Sequence, residues 1–131
     1  MKKILILNVL VFGALFFMNF NNVPESKMNP QNDKYEVPED IQAIIDKSCK
    51  GCHVTDSKNM KGKAKLNWDK MKNVYKTPKV IGKLMDIEET VKENKMPPKK
   101  FLSKYPDKNL STKNKEKLQK WAKDMATKLA E

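Results

Sequence analysis

The sequence predicts a small all-α domain of about four helices, and three observations carry that prediction. Apolar residues recur at three- and four-residue spacing in separate stretches, helix-start residues precede those stretches, and no stretch alternates as a half-buried strand does. With 131 residues the chain has room for one compact core and not for two.

The first helix opens at Pro38-Glu39-Asp40, with proline early and acids in the first turn; Ile41, Ile44, Ile45 and Ser48-Cys49 follow at helical spacing. Val54 to Lys65, polar and lysine-rich with Gly62 inside it, interrupts the pattern. A short second helix is capped by Asn67 and carries Trp68, Met71 and Tyr75 at i, i+3 and i+7. Thr77-Pro78 reads as a cap followed by a first-turn proline, and Val80, Leu84, Ile87 and Val91 mark the buried face of the third helix. Met96-Pro97-Pro98 should end it, because neither proline has an amide donor and Pro97 disfavours the α conformation at Met96. After a connection from Phe101 to Asn109, Ser111 caps a last helix with Leu118, Trp121, Ala122, Met125 and Leu129 on one face.

Ahead of these helices the composition changes. Met1-Lys2-Lys3 is followed by fifteen uncharged, mostly apolar residues, Ile4 to Met18. That run is short of the roughly 20 residues a spanning helix needs and has the length of an export-signal core. Asn19 to Ser26 offers no small-residue cleavage site, so residues 1–26 are expected to be a signal peptide or an uncleaved N-terminal anchor. The body is then exported: periplasmic, or held at the inner membrane facing the periplasm. Residues 27–37 read as a flexible linker and 38–131 as the folded domain.

Charge narrows the function classes. The chain carries 27 basic against 16 acidic residues, and all 27 are lysine. Nucleic-acid readout leans on the planar, bidentate guanidinium, so a chain with no arginine is expected to bind no nucleic acid. Lysine alone gives a diffuse positive field suited to an acidic partner. Ten lysines and two acids lie between Lys47 and Lys79, whereas Asp86 to Glu93 holds four acids and one lysine.

Both cysteines and the only histidine fall in Cys49-Lys50-Gly51-Cys52-His53. C-x-x-C-H is the attachment signature of c-type haem. Thiols at i and i+3 on one side of a helical turn can each form a thioether with a porphyrin vinyl group, and the adjacent His53 can donate an imidazole nitrogen to the iron. Gly51 is expected to keep that crowded turn free of a side chain facing the macrocycle. A Cys49–Cys52 disulfide would close too small a loop to stabilise much, a thioredoxin-type pair lacks its βαβ setting, and structural zinc would be one ligand short. Covalent haem also requires assembly outside the cytoplasm, which the N-terminal segment supplies.

With no second histidine, the sixth iron ligand is a methionine, a lysine, water or nothing. Met71 and Met125 lie on core faces, and Met85 is mid-helix. Met96, held beside Pro97-Pro98, is the expected distal ligand, with Met60 next. Trp68 and Trp121 are expected to pack against the porphyrin and the first helix. Trp68, Asn67 and Tyr75 are candidate donors to a haem propionate, and the Pro78 carbonyl is a candidate acceptor for the other nitrogen of His53.

From about Ile41 to Lys123 the chain resembles the short exported bacterial haem-binding domains with a single C-x-x-C-H, a class of monohaem c-type cytochrome. Ser48 to His53, Leu66-Asn67-Trp68, Lys95-Met96-Pro97-Pro98, Leu110-Ser111 and Leu118 to Trp121 carry the likeness. It implies a small cytochrome c-like domain wrapped around one covalent haem c. Cys49 and Cys52 would be its attachment points, His53 the proximal ligand and Met96 the distal one. The lysine-rich Val54 to Lys65 lacks the aromatics such domains often carry there. The expected function is single-electron transfer outside the cytoplasm to an acidic redox protein, without catalysis. The alternative is a haem sensor or peroxidase-like protein with an open sixth position, for which no second His or any Arg is present as a distal acid or base.

Overall fold

The computed structural model describes residues 34–131; the segment 1–26 and the linker as far as residue 33 lie outside the described residues. Helix α1 (Glu39–Ser48) follows Pro38, which caps it in an extended conformation, and it buries Ile41, Ile44 and Ile45. Next come α2 (Met60–Lys65), α3 (Trp68–Met71) and α4 (Thr77–Lys92). Helix α5 (Lys99–Leu102), a 3-10 turn (Pro106–Lys108) and α6 (Thr112–Ala130) complete the order. The described residues hold no strand, so the all-α reading stands.

The long helices form the frame. α4 and α6 pack along each other, and α1 lies against α6. α4 buries Val80, Leu84, Ile87 and Val91, the face its spacing predicts. α6 buries Leu118, Trp121, Ala122, Met125, Ala126 and Leu129, and Ser111 accepts the Asn114 amide at 3.2 Å as its cap. Each large apolar side chain withdrawn from water contributes about 1.5–3 kcal/mol, so the α4–α6 seam outweighs the helices' intrinsic preferences. Asn67 caps α3, accepting the Asp69 amide at 3.1 Å, and Met71 and Tyr75 close the core beneath it.

The structure differs from the sequence reading in several places; α3, for one, ends at Met71, short of Tyr75. A helix, α2, forms inside the lysine-rich stretch expected only to interrupt the pattern; it buries no residue, so no apolar period announces it. The N-cap of α4 is Lys76, and Thr77 is already helical. α4 stops at Lys92, ahead of the prolines, because Asn94 adopts a left-handed conformation with φ 56°. The Lys95 and Asn94 amides then bond back to Thr90 and Val91 at 2.9 and 3.1 Å, the paired bonds of a Schellman cap. Finally, the end of the expected linker belongs to the folded domain: Tyr35 is 5% exposed, and Trp121 Nε1 donates to the Glu36 carbonyl at 3.1 Å.

Candidate functional site

The C-x-x-C-H turn is an extension of α1. The Cys49 and Lys50 amides both donate to the Ile45 carbonyl, at 2.9 and 3.1 Å, and those of Cys52 and His53 donate to the Cys49 carbonyl at 3.1 and 3.2 Å. One tight turn therefore holds both thiols and the imidazole. Burial pushes the Cys49 thiol up to about 12, which keeps it protonated. Gly51 is exposed, and a Cβ there would meet no other atom of the chain within 4 Å.

The crowding falls on Gly62. A Cβ on Gly62 would lie 2.7 Å from the Cys52 carbonyl oxygen. This close approach lets the Gly62 carbonyl reach His53 Nδ1 at 2.9 Å, with the Leu66 carbonyl at 3.3 Å. Carbonyl oxygens only accept, so Nδ1 carries the hydrogen and the lone pair resides on Nε2, the atom available to a metal. The acceptor is thus in α2, not at Pro78, because α2 folds directly over the motif.

Polar residues tie α2 and α3 to the motif. Trp68 N donates to the His53 carbonyl at 2.9 Å, the Ser57 hydroxyl to the Gly51 carbonyl at 3.1 Å, and Lys63 Nζ to the Thr55 carbonyl at 3.2 Å. The Thr55 amide donates to Asp69 Oδ2 at 2.8 Å, and buried Asn67 bonds the Thr55 hydroxyl at 3.2 Å. Hydrogen bonding from Thr55, its amide above all, holds the Asp69 carboxyl below its ordinary value. Gly62, Ser57 and Thr55 are site-building residues that composition did not single out; the only advance sign was Asn67 as a cap.

Two adjoining cavities share Cys49, His53, Val91 and Met96 in their walls and so form one cleft. The smaller, about 40 Å³, is finished by Cys52, Pro97, Pro98, Phe101 and Leu110. The larger, about 220 Å³, is finished by Leu66, Trp68, Ile87 and Thr90, with Lys65, Lys83 and Asp86. Four of the sequence-selected residues, Cys49, His53, Trp68 and Met96, meet in the larger cavity's wall; Cys52 joins from the smaller. Among the described residues, no other methionine lines this cleft. Met60 and Met85 are 68% and 61% exposed, while Met71 and Met125 are core. Trp121 is not itself in the cleft wall; it packs against Trp68, a residue of that wall, and edge-on to Tyr35, with ring centroids 6.3 Å apart in each case.

These residues fit a haem. An imidazole with Nε2 free, a thioether, two thiols three residues apart and apolar walls are its chemistry, and Trp68 Nε1 and Ser48 Oγ are buried in the wall without partners. No group of three or more His, Cys, Asp or Glu among the described residues could hold a bare metal ion.

No curated protein and no solved structure matches the chain. The haem-binding domain family matches residues 55–124, just over half of the chain. The match begins two residues beyond His53 and takes in α2 to α5 and the first two thirds of α6, with Trp68 and Met96. A fold whose cleft offers an available imidazole nitrogen and a thioether is thereby matched to a ligand, and the chain belongs to the haem-binding domain family.

Proposed function

We propose that this haem-binding domain is an exported monohaem c-type cytochrome that carries single electrons. Cys49 and Cys52 would form the thioethers, His53 Nε2 would be the proximal ligand and Met96 Sδ the distal one, with Trp68 packing against the haem. The observation that carries this reading is the tie from His53 Nδ1 to the Gly62 carbonyl, which leaves Nε2 available in a cleft whose wall includes Met96. A bound haem supplies a one-electron iron couple. The chain's own residues fix the imidazole, exclude water with Val91, Pro97, Phe101 and Leu110, and offer a soft thioether that favours the reduced iron.

Export follows from the covalent attachment and from the segment 1–26, which stands as a signal peptide or an inner-membrane anchor; no described helix is long and apolar enough to cross a membrane. The partner is an acidic redox protein rather than nucleic acid. Lys58, Lys61 and Lys65 are exposed beside the motif and form no ion pair among the described residues, which leaves their charge for a partner. Carrier rather than catalyst is the reading the apolar surroundings of Met96 favour.

Absorption spectra of the purified protein in both redox states, with Met96→Ala alongside, test this. A six-coordinate spectrum with a Met–iron charge-transfer band, lost in the variant, and haem retained on a denaturing gel are expected. Rapid CO binding by the reduced wild type would favour the open-site sensor or peroxidase-like alternative, and haem released by denaturation would refute covalent attachment.

A further inference from the structure

The turn from α3 to α4 carries an exposed apolar tip among lysines that no acid neutralises. Val74 is 61% exposed, and the Lys70 carbonyl closes the turn beneath it by accepting the Val74 and Tyr75 amides at 3.1 and 2.8 Å. A groove of about 560 Å³ runs past this tip, walled by Val74, Tyr75 and Pro78 together with Lys70, Lys76 and Lys79. The wall contains no acid, and the stretch from Lys70 to Lys79 holds four lysines and no acid. Lys70 and Lys76 form no ion pair among the described residues, and Lys79 Nζ lies 4.1 Å from the centroid of the Tyr75 ring. The acids next along the chain are engaged: Asp69 accepts the Thr55 amide at 2.8 Å, and Asp86 pairs with Lys83 at 2.8 Å. No residue of this groove belongs to the cleft walls, so its chemistry is independent of the haem.

Two features favour a charged surface over a protein as the occupant. Protein hot spots are built on Trp, Tyr and Arg, whereas here the exposed apolar residues are Val74 and Pro78, Tyr75 is 9% exposed and every cation is a lysine. Lysine binds phosphate as a point charge, and its apolar stem can lie along an acyl boundary while the ammonium stays among headgroups. The second feature is the polarity of α4. Lys76 and Lys79 stand at its start, while Asp86, Glu88, Glu89 and Glu93 follow toward its end. Lys79 and Glu89 are ten residues apart, or about 15 Å along the helix. An anionic plane attracts one end of such a helix and repels the other, which orients the whole domain.

We infer that the α3–α4 turn seats the domain on an anionic phospholipid surface, with Val74 at the headgroup boundary and Lys70, Lys76 and Lys79 on the lipid phosphates. The cleft, which shares no residue with this seat, stays open to a redox partner.

Amide hydrogen exchange of the full-length protein, read by mass spectrometry with vesicles of phosphatidylglycerol and separately of phosphatidylcholine, tests this. The readout is local, and any pull from the segment 1–26 acts with both lipids. Slower exchange in peptides spanning residues 70–79 is expected with phosphatidylglycerol alone, with vesicle affinity about fivefold lower in Lys76→Ala. Lys76 makes no side-chain capping bond to α4, so this change leaves the helix start intact, and Lys123→Ala, exposed on α6, should bind as the wild type does. Equal protection by both lipids, protection by neither, or wild-type affinity in Lys76→Ala overturns the proposal. Protection by polyglutamate without protection by phosphatidylglycerol also overturns it and assigns the turn to an acidic polypeptide.

Discussion

Replacing Gly62 by alanine sets two effects against each other. Gly62 lies inside α2, where helix propensity alone favours alanine by about 1 kcal/mol. The new Cβ would, however, fall 2.7 Å from the Cys52 carbonyl oxygen and 3.1 Å from two Asn59 side-chain atoms. Asn59 can rotate, but the Cys52 oxygen is backbone within the motif turn, so α2 must move away. That withdraws the Gly62 carbonyl from its 2.9 Å contact with His53 Nδ1 and the Gly62 amide from its 2.9 Å bond to Asn59 Oδ1. Overpacking costs about 1–3 kcal/mol and a lost hydrogen bond about 1 kcal/mol. With both bonds lost and set against the propensity gain, the expected net loss is about 2–4 kcal/mol, or a Tm lower by roughly 8–30 °C for a domain of this size. Gly82→Ala is the control: it lies in α4, exposed, with nothing within 4 Å of its Cβ, and should stabilise by about 0.5–1 kcal/mol. Thermal unfolding followed by far-ultraviolet circular dichroism measures both. If Gly62→Ala gains stability as Gly82→Ala does, the close approach is not what holds α2 against the motif, and the clamp on His53 is refuted.

Asn94→Ala should cost about 1 kcal/mol, since its left-handed φ of 56° disfavours a Cβ without a local hydrogen-bonding group, while Asn94→Gly should be near neutral; urea midpoints separate the two. In the haem-free Cys52→Ala variant, alkylation of Cys49 should still be accelerating about tenfold per pH unit above 9, because burial raises its thiol to about 12; a plateau near 9 would contradict the buried turn. Asp69 contributes through its depressed carboxyl, so its stabilisation is present above the ordinary value of 3.8 and is lost as pH falls through the lower folded value. The stability difference between wild type and Asp69→Asn, at most about 1 kcal/mol for this exposed group, should therefore shrink in acid, as denaturation across pH will show.

Legibility followed the physical origin of each element. α1, α4 and α6 were readable because each buries an apolar face at helical period, and burial both stabilises the helix and writes its period into the sequence. α2 was not, because its order comes from hydrogen bonds to residues on the motif, which leave no pattern in MKGKAK. The end of α4 was misplaced for a related reason: Asn94 in a left-handed cap stops it before Pro97-Pro98 can.

By itself, then, the sequence determined the helical frame and the chemistry of the site, since Cys49, Cys52 and His53 are neighbours in the chain and their spacing alone names what they can bind. It also selected Met96, but only folding brings Met96 and His53 into one cleft wall, through the Asn94 turn at the end of α4. Which carbonyl holds His53, which glycine is indispensable and which buried donors lack partners were decided by tertiary structure alone. Each is a contact between backbone or side-chain atoms distant in sequence, and the geometry of such contacts is set by the packing of α1, α2 and α3 together rather than by any one of them.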